Sequence, residues 1–286
     1  MSADPPALLV IGHGSRSAQG VAEYWSLLDI LRRQDPSPAI GGGFIELAPP
    51  DLDTAIDDLV ARGRRSIVAV PLLLLGAGHM KDDGPAALAR ARGRHSDVPF
   101  RYGRALGVHP LVLAPAADRI DEALCGCSPD ESAVVLVARG SSDPDANADL
   151  YKVGRLLQGT GRVAMVEPAF VSLARPSVPE ALERCRRLGA NTVAVVPYFL
   201  FTGVLVDRIG DQARAWSTQN PDIEVRIGHH LGSDPRVAEL VRERYVEALA
   251  GDTRMNCDCC AYRSVIAPPN REAAASGSQD CFLSPP

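Results

Sequence analysis

Short apolar runs recur along the chain. Each is closed by a glycine- or proline-marked turn and followed by a longer segment with helical spacing. The run Leu8-Leu9-Val10-Ile11 carries no polar residue. That is the pattern of a strand buried on both faces of a parallel sheet. It ends in Gly12-His13-Gly14, where the glycines let the backbone bend and approach a neighbour closely. The pattern then predicts a helix over 18–33, a strand over 41–46, a helix over 51–62, a strand over 66–74, a helix over 82–92, a strand over 99–103 and a helix over 110–124. A second round follows, with strands over 133–137, 163–171, 192–200 and 223–227 and helices over 145–158, 177–188, 207–216 and 235–250. Strand then helix, repeated, predicts parallel sheets with right-handed crossovers. Ala55, Ile56, Leu59 and Val60 share one helical face. Asp51 and Ser177 stand where an N-cap or first-turn residue belongs.

The two rounds are copies. Ile11-Gly12-His13-Gly14-Ser15 matches Val137-Ala138-Arg139-Gly140-Ser141 at an offset of 126 residues. At the same offset Phe44-Ile45-Glu46-Leu47-Ala48 matches Phe170-Val171-Ser172-Leu173-Ala174, and Ile67–Pro71 matches Val193–Pro197. Leu106-Gly107 and Pro110 match Leu231-Gly232 and Pro235 with the offset reduced to 125. The expected fold class is therefore α/β, with two similar subdomains, each a parallel sheet flanked by helices. The expected division is residues 1–128, 129–251 and a Cys-containing tail over 252–286. That tail is rich in Ala, Ser, Pro and Gly, a composition expected to be flexible.

The differences between copies carry the chemistry. His13 becomes Arg139, Glu46 becomes Ser172, and His79 becomes Leu205. All three first-copy residues lie at or near the C-terminal ends of predicted strands, the edge where open α/β sheets place ligand sites. Two imidazoles and a carboxylate on one edge suit a transition metal such as Co, Fe, Ni or Zn. The same groups serve as general bases near neutral pH. Plainer uses stay open, with Glu46 capping the next helix and His79 as a loop residue.

Composition narrows the classes. At 46% hydrophobic residues, the chain can bury a substantial core. Its formal net charge of −5 and lack of a basic block argue against nucleic acid as main partner. No apolar stretch reaches the ~18 residues of a membrane span. The opening MSADPPALLV lacks the charged and apolar regions of a signal peptide, so the cytoplasm is expected. Of seven cysteines, Cys125, Cys127 and Cys185 are scattered, Cys257, Cys259 and Cys260 crowd together, and Cys281 follows in the tail. An odd, crowded set is a poor disulfide framework and better suits metal or cluster binding.

Taken together, GHGSR after the first strand, FIELAPPD around the second and VPLLLLGAGHMKDD at the third resemble class II tetrapyrrole chelatases, specifically their long-form sirohydrochlorin cobaltochelatase branch. The resemblance spans residues 8 to about 250. It implies two α/β subdomains facing across a cleft, and ATP-independent insertion of a divalent metal into sirohydrochlorin in cobalamin biosynthesis. Co²⁺ is the implied substrate metal, with Fe²⁺ and Ni²⁺ left open. It implies that His13 and His79 bind metal and accept protons, that Glu46 assists at the metal, and that the first copy holds the single active site. The substrate is a polycarboxylate, so Arg16, Lys81, Arg139 and Arg208 near the strand ends are candidates to meet it; a surface role for Arg139, or pairing with Asp143, stays open. Met255-x-Cys257-x-x-Cys260 resembles an element associated with an iron–sulfur centre in some long forms. Monomer and homodimer both stay open. The rivals are iron insertion giving siroheme, a non-catalytic metal or tetrapyrrole carrier, and a two-lobed periplasmic-type binding protein. The set His13, Glu46 and His79 weighs against a carrier, which needs no paired bases.

Overall fold

A computed structural model describes residues 4–252. The first copy runs β1 (Ala7–Gly12), α1 (Ala18–Gln34), β2 (Ile40–Phe44), α2 (Leu52–Ala61), β3 (Ile67–Pro71), α3 (Gly84–Arg94), β4 (Phe100–Tyr102) and α4 (Pro110–Ala123). The second runs β5 (Ser132–Ala138), α5 (Pro144–Gln158), β6 (Met165–Phe170), α6 (Val178–Arg187), β7 (Thr192–Pro197), α7 (Val204–Gln219), β8 (Glu224–Ile227) and α8 (Pro235–Ala250). Each copy forms a four-stranded, all-parallel sheet, ordered β2-β1-β3-β4 and β6-β5-β7-β8. The chain reverses direction across each sheet between its first and third strands. Such switch points open a crevice at the carboxyl ends of those strands.

The expected elements are present, with one instructive difference. Apolarity predicts strand as far as 74 and 200, yet β3 ends at Pro71 and β7 at Pro197. The Leu72 amide still donates to the Ile11 carbonyl at 2.8 Å, but β1 itself ends at Gly12. Leu72 and Leu74 are buried as core, not as strand. Both expected caps form. The Asp51 carboxylate accepts the Thr54 amide at 2.7 Å, which holds its pKa below the usual carboxylate range. Ser177 and Glu180 make a reciprocal capping box.

Alternation within the strands builds five layers. Leu9 and Ile11 face α2 and α3, whereas Leu8 and Val10 face the other way. In the second copy Val135 and Val137 pack on α6 and α7, and Val134 and Leu136 face away from them. Leu8, Val10, Val134 and Leu136 all belong to one apolar cluster built on α1, α4, α5 and α8. Those four helices are the shared middle layer between two sheets.

Within that layer the last helix of each copy crosses to the other copy. Helix α8 packs on α1 and β3, and α4 packs on α5 and β7. An arginine fastens each crossing. Arg244 of α8 donates to the carbonyls of Ala105 and Leu106 at 3.1 and 2.8 Å, and Glu247 pairs with its remaining N–H groups. Arg119 of α4 does the same to His230 and Leu231 at 3.1 and 3.3 Å, paired with Glu122. The two clamps are equivalent by the repeat. Among the described residues, no helix is long and apolar enough to cross a membrane.

The Arg244 side chain is 4% exposed and that of Arg119 26% exposed, so the two clamps differ in what water can replace. Arg244→Ala leaves two buried carbonyls without donors and should cost about 3 kcal/mol. Arg119→Ala should cost roughly 1 kcal/mol, since water reaches its partners. Because the core is continuous between copies, calorimetry should record both losses within a single transition.

Candidate metal and proton-transfer site

The site begins with two loops that touch. One leaves β1 and carries His13; the other leaves β2 and carries Glu46. The Ile45 amide donates to the Gly12 carbonyl at 2.9 Å, and the Glu46 amide to the His13 carbonyl at 3.1 Å. Gly14 has φ +97°, and a Cβ built there would stand 1.7 Å from the Glu46 carbonyl oxygen. Only glycine permits both the conformation and the approach. Leu47 follows with φ 66°, a left-handed residue that costs roughly 1–2 kcal/mol. The second copy keeps the whole corner. Gly140 has φ +87°, Leu173 has φ 53°, and the Ser172 amide donates to the Arg139 carbonyl at 3.0 Å. The corner thus belongs to the scaffold, and only the first copy equips it with an imidazole and a carboxylate.

Those two groups face each other. His13 Nε2 lies 3.4 Å from Glu46 Oε1; the side chains are 28% and 48% exposed, with Nε2 itself turned away from solvent. His13 Nδ1 lies 3.2 Å from the Gly14 carbonyl oxygen. A carbonyl only accepts, so this contact places the ring proton on Nδ1. Nε2 then faces a carboxylate. A ring nitrogen and a carboxylate oxygen at that distance accommodate a shared proton or a shared cation.

His79 opens a π-helical turn, His79–Asp83, immediately before α3. Such turns interrupt the regular helix and recur at functional sites. The turn follows β3, so His79 and His13 issue from adjacent strands at the switch point. Among the described residues, no three His, Cys, Asp or Glu side chains converge as a ready-made metal shell.

Arg16, Arg139 and Arg208 are exposed, and none pairs with a carboxylate among the described residues. Lys81 differs from the expectation. Its side chain is 1% exposed, with Nζ 2.5 Å from Asp143 Oδ2 and 3.7 Å from Asp145 Oδ2. An ammonium held this way cannot reach a substrate carboxylate, because Asp143 supplies the counter-charge that burial demands. Asp143 pairs with Lys81 rather than Arg139. The sequence did hold a signal for this partnership. By the repeat, Lys81 aligns with Asp207 and Asp143 with Ser17, so both positions change charge between copies. Cys257, Cys259, Cys260 and Cys281 lie outside the described residues.

The CbiX family model matches the chain twice, over residues 7–123 and 133–248. The chain belongs to the CbiX family. The two matches fall on the two sheets, as expected if the CbiX unit is one such copy. Among relatives, a sirohydrochlorin cobaltochelatase of Priestia megaterium is 38% identical over 259 residues, covering 90% of this chain and 84% of that protein. A sirohydrochlorin ferrochelatase of Bacillus subtilis is 32% identical over 244 residues, covering 85% and 92%. The structure is similar to that of SirB from Bacillus subtilis with Fe³⁺, with a TM-score of 0.76, 31% identity and coverage of 87% and 98% of the two chains. It is also similar to the sirohydrochlorin chelatase SirB of Bacillus subtilis subspecies spizizenii in complex with cobalt, with a TM-score of 0.73, 31% identity and coverage of 86% and 96%.

The twin corners give a controlled comparison. Gly14→Ala and Gly140→Ala should both lower the melting temperature, since each forces a Cβ onto a carbonyl. Only Gly14→Ala moves Glu46 from His13. Titration with Co²⁺ should therefore show about tenfold weaker binding in Gly14→Ala and unchanged binding in Gly140→Ala.

Proposed function

We propose that this chain inserts a divalent metal ion, Co²⁺ in preference to Fe²⁺ or Ni²⁺, into sirohydrochlorin with release of two protons. The observation that carries the reading is the His13–Glu46 pair at the switch point. The similarity to a cobaltochelatase over nine-tenths of the chain supports it.

The chemistry follows from the geometry. Two pyrrole N–H protons must leave as the metal enters the ring. With its Nδ1–H given to Gly14, His13 presents Nε2 as an acceptor or ligand. Glu46 stabilises whichever cation results, an imidazolium or a held metal ion. His79, from the neighbouring strand end, takes the complementary task. A substrate metal has to be released within each turnover. An open pair suits that better than a closed shell, which would retain the ion. Arg16, Arg139 and Arg208 meet the carboxylates of the macrocycle, and Arg139 occupies the second-copy equivalent of His13. Lys81 is not in this set. No step calls for nucleotide.

Iron insertion is the second reading, favoured by the similarity to a ferrochelatase over most of both chains. We further propose that Cys257, Cys259 and Cys260 ligate an iron–sulfur centre. Thiolates suit it, but three within four residues fall short of the four a cluster takes. Cys281 or a second chain must supply the fourth.

Anaerobic insertion assays with Co²⁺ and Fe²⁺ in parallel, read by visible absorbance, test the main reading. Co²⁺ should be inserted faster than Fe²⁺. His13→Ala and His79→Ala should each lose roughly 10²–10⁴-fold in rate, the usual worth of a positioned proton acceptor, while still binding macrocycle. A wild-type rate no greater than the protein-free rate would leave only a binding protein. For the tail, iron and acid-labile sulfide should co-purify with the wild type and be lost in Cys257→Ser/Cys260→Ser.

A further inference from the structure

Lys81 is buried in a place where an ammonium earns nothing for stability. Removing its charge from water costs several kcal/mol, and pairing with Asp143 does little more than offset that. The same junction exists a second time in the molecule, built without a lysine and its aspartate. The pseudo-equivalent of Lys81 is Asp207, which is exposed, and that of Asp143 is Ser17, a neutral N-cap. On that side the loop between β7 and α7 meets α1 through other atoms. The Thr202 amide donates to Glu23 at 2.7 Å, and Gly20 lets its helix approach the Thr202 carbonyl, where a Cβ would stand at 2.4 Å. The fold therefore closes this kind of junction without a buried lysine–aspartate pair. Among the described residues, that pair stands where the loop carries His79, two residues before Lys81.

We infer that Asp143 is a positioning residue for the reaction, acting from the second copy through Lys81 to hold the π-helical turn that bears His79. The inference rests on the functional reading above, in which His79 handles metal or proton. Asp143 is itself held on both sides. Its amide donates to Ser141 Oγ at 3.0 Å, and its Oδ1 accepts the Asp145 amide at 3.0 Å as the N-cap of α5. The carboxylate is thus rigid, and its second oxygen, Oδ2, is the one given to Lys81 Nζ. A rigid charge on one lobe fixes the backbone of a loop on the other.

The test uses Asp143→Asn and the double variant Lys81→Met/Asp143→Asn in the full chain. Asparagine keeps the N-cap. The double variant removes both charges together and so avoids an uncompensated buried ion. Anaerobic Co²⁺ insertion is measured with wild type and His79→Ala alongside, together with sirohydrochlorin affinity and melting temperature. Positioning predicts that both variants lose about 10–100-fold in kcat, the usual effect of a residue that orients a ligand. KM and macrocycle affinity should stay within about twofold, and the double variant should melt near wild type. A double variant that regains the wild-type kcat would overturn the inference, as would losses in kcat that follow the melting temperature and macrocycle affinity together. An inactive wild type, or a fully active His79→Ala, would instead sink the functional reading and this inference with it. An active wild type with unimpaired Asp143→Asn sinks the inference alone.

Discussion

The exchange of C-terminal helices is the constraint on which the architecture rests. A four-stranded sheet must cover two apolar faces. Each copy covers one with its own α2 and α3, or α6 and α7. The other needs a helix that the partner copy supplies. Arg119 and Arg244 turn that reciprocity into fixed geometry by capping the segments that follow β8 and β4. The carboxyl edges of the two sheets are thereby brought together, and the loops after β1, β3, β5 and β7 gain fixed opposite numbers. Everything at the site inherits its position from this crossing.

The strand and helix order was legible because period-two and helical patterns are local and each copy repeats the evidence of the other. The helix exchange was not. The apolar stripe of α8 says that it is buried, but Val237, Leu240 and Val241 would read identically against either sheet. The end of β3 is hidden for the same reason. Leu72 and Leu74 are apolar because they are core, and hydrophobicity alone does not separate a core loop from a strand. At the site, comparison of the copies marks His13, Glu46 and His79 because the second copy carries arginine, serine and leucine there, none of which serves as a metal ligand or base near neutral pH. The place of Lys81 is not legible because a charge in sequence carries no depth, and its partner lies 62 positions away in the other copy.

The two junctions between copies also show how a duplicated fold divides its tasks. Glu23 gathers the Thr202 amide and His230, and Ser233 binds the backbone of the same helix, so one junction is centred on a partly exposed carboxylate. The other spends a buried ion pair. That asymmetry parallels the asymmetry of the corners, since Lys81, His13, His79 and Glu46 all belong to the first copy.

The corner retained around Gly140 and Leu173 has a consequence for descent and redesign. Its backbone is already bent to present two side chains at touching distance, and positions 139 and 172 are where they emerge. Changing those residues leaves the close glycine contact untouched, so the fold does not constrain what they carry. The second lobe thus holds a spare socket. A lineage, or an engineer, can fit a second chemistry there by two substitutions without renegotiating the core.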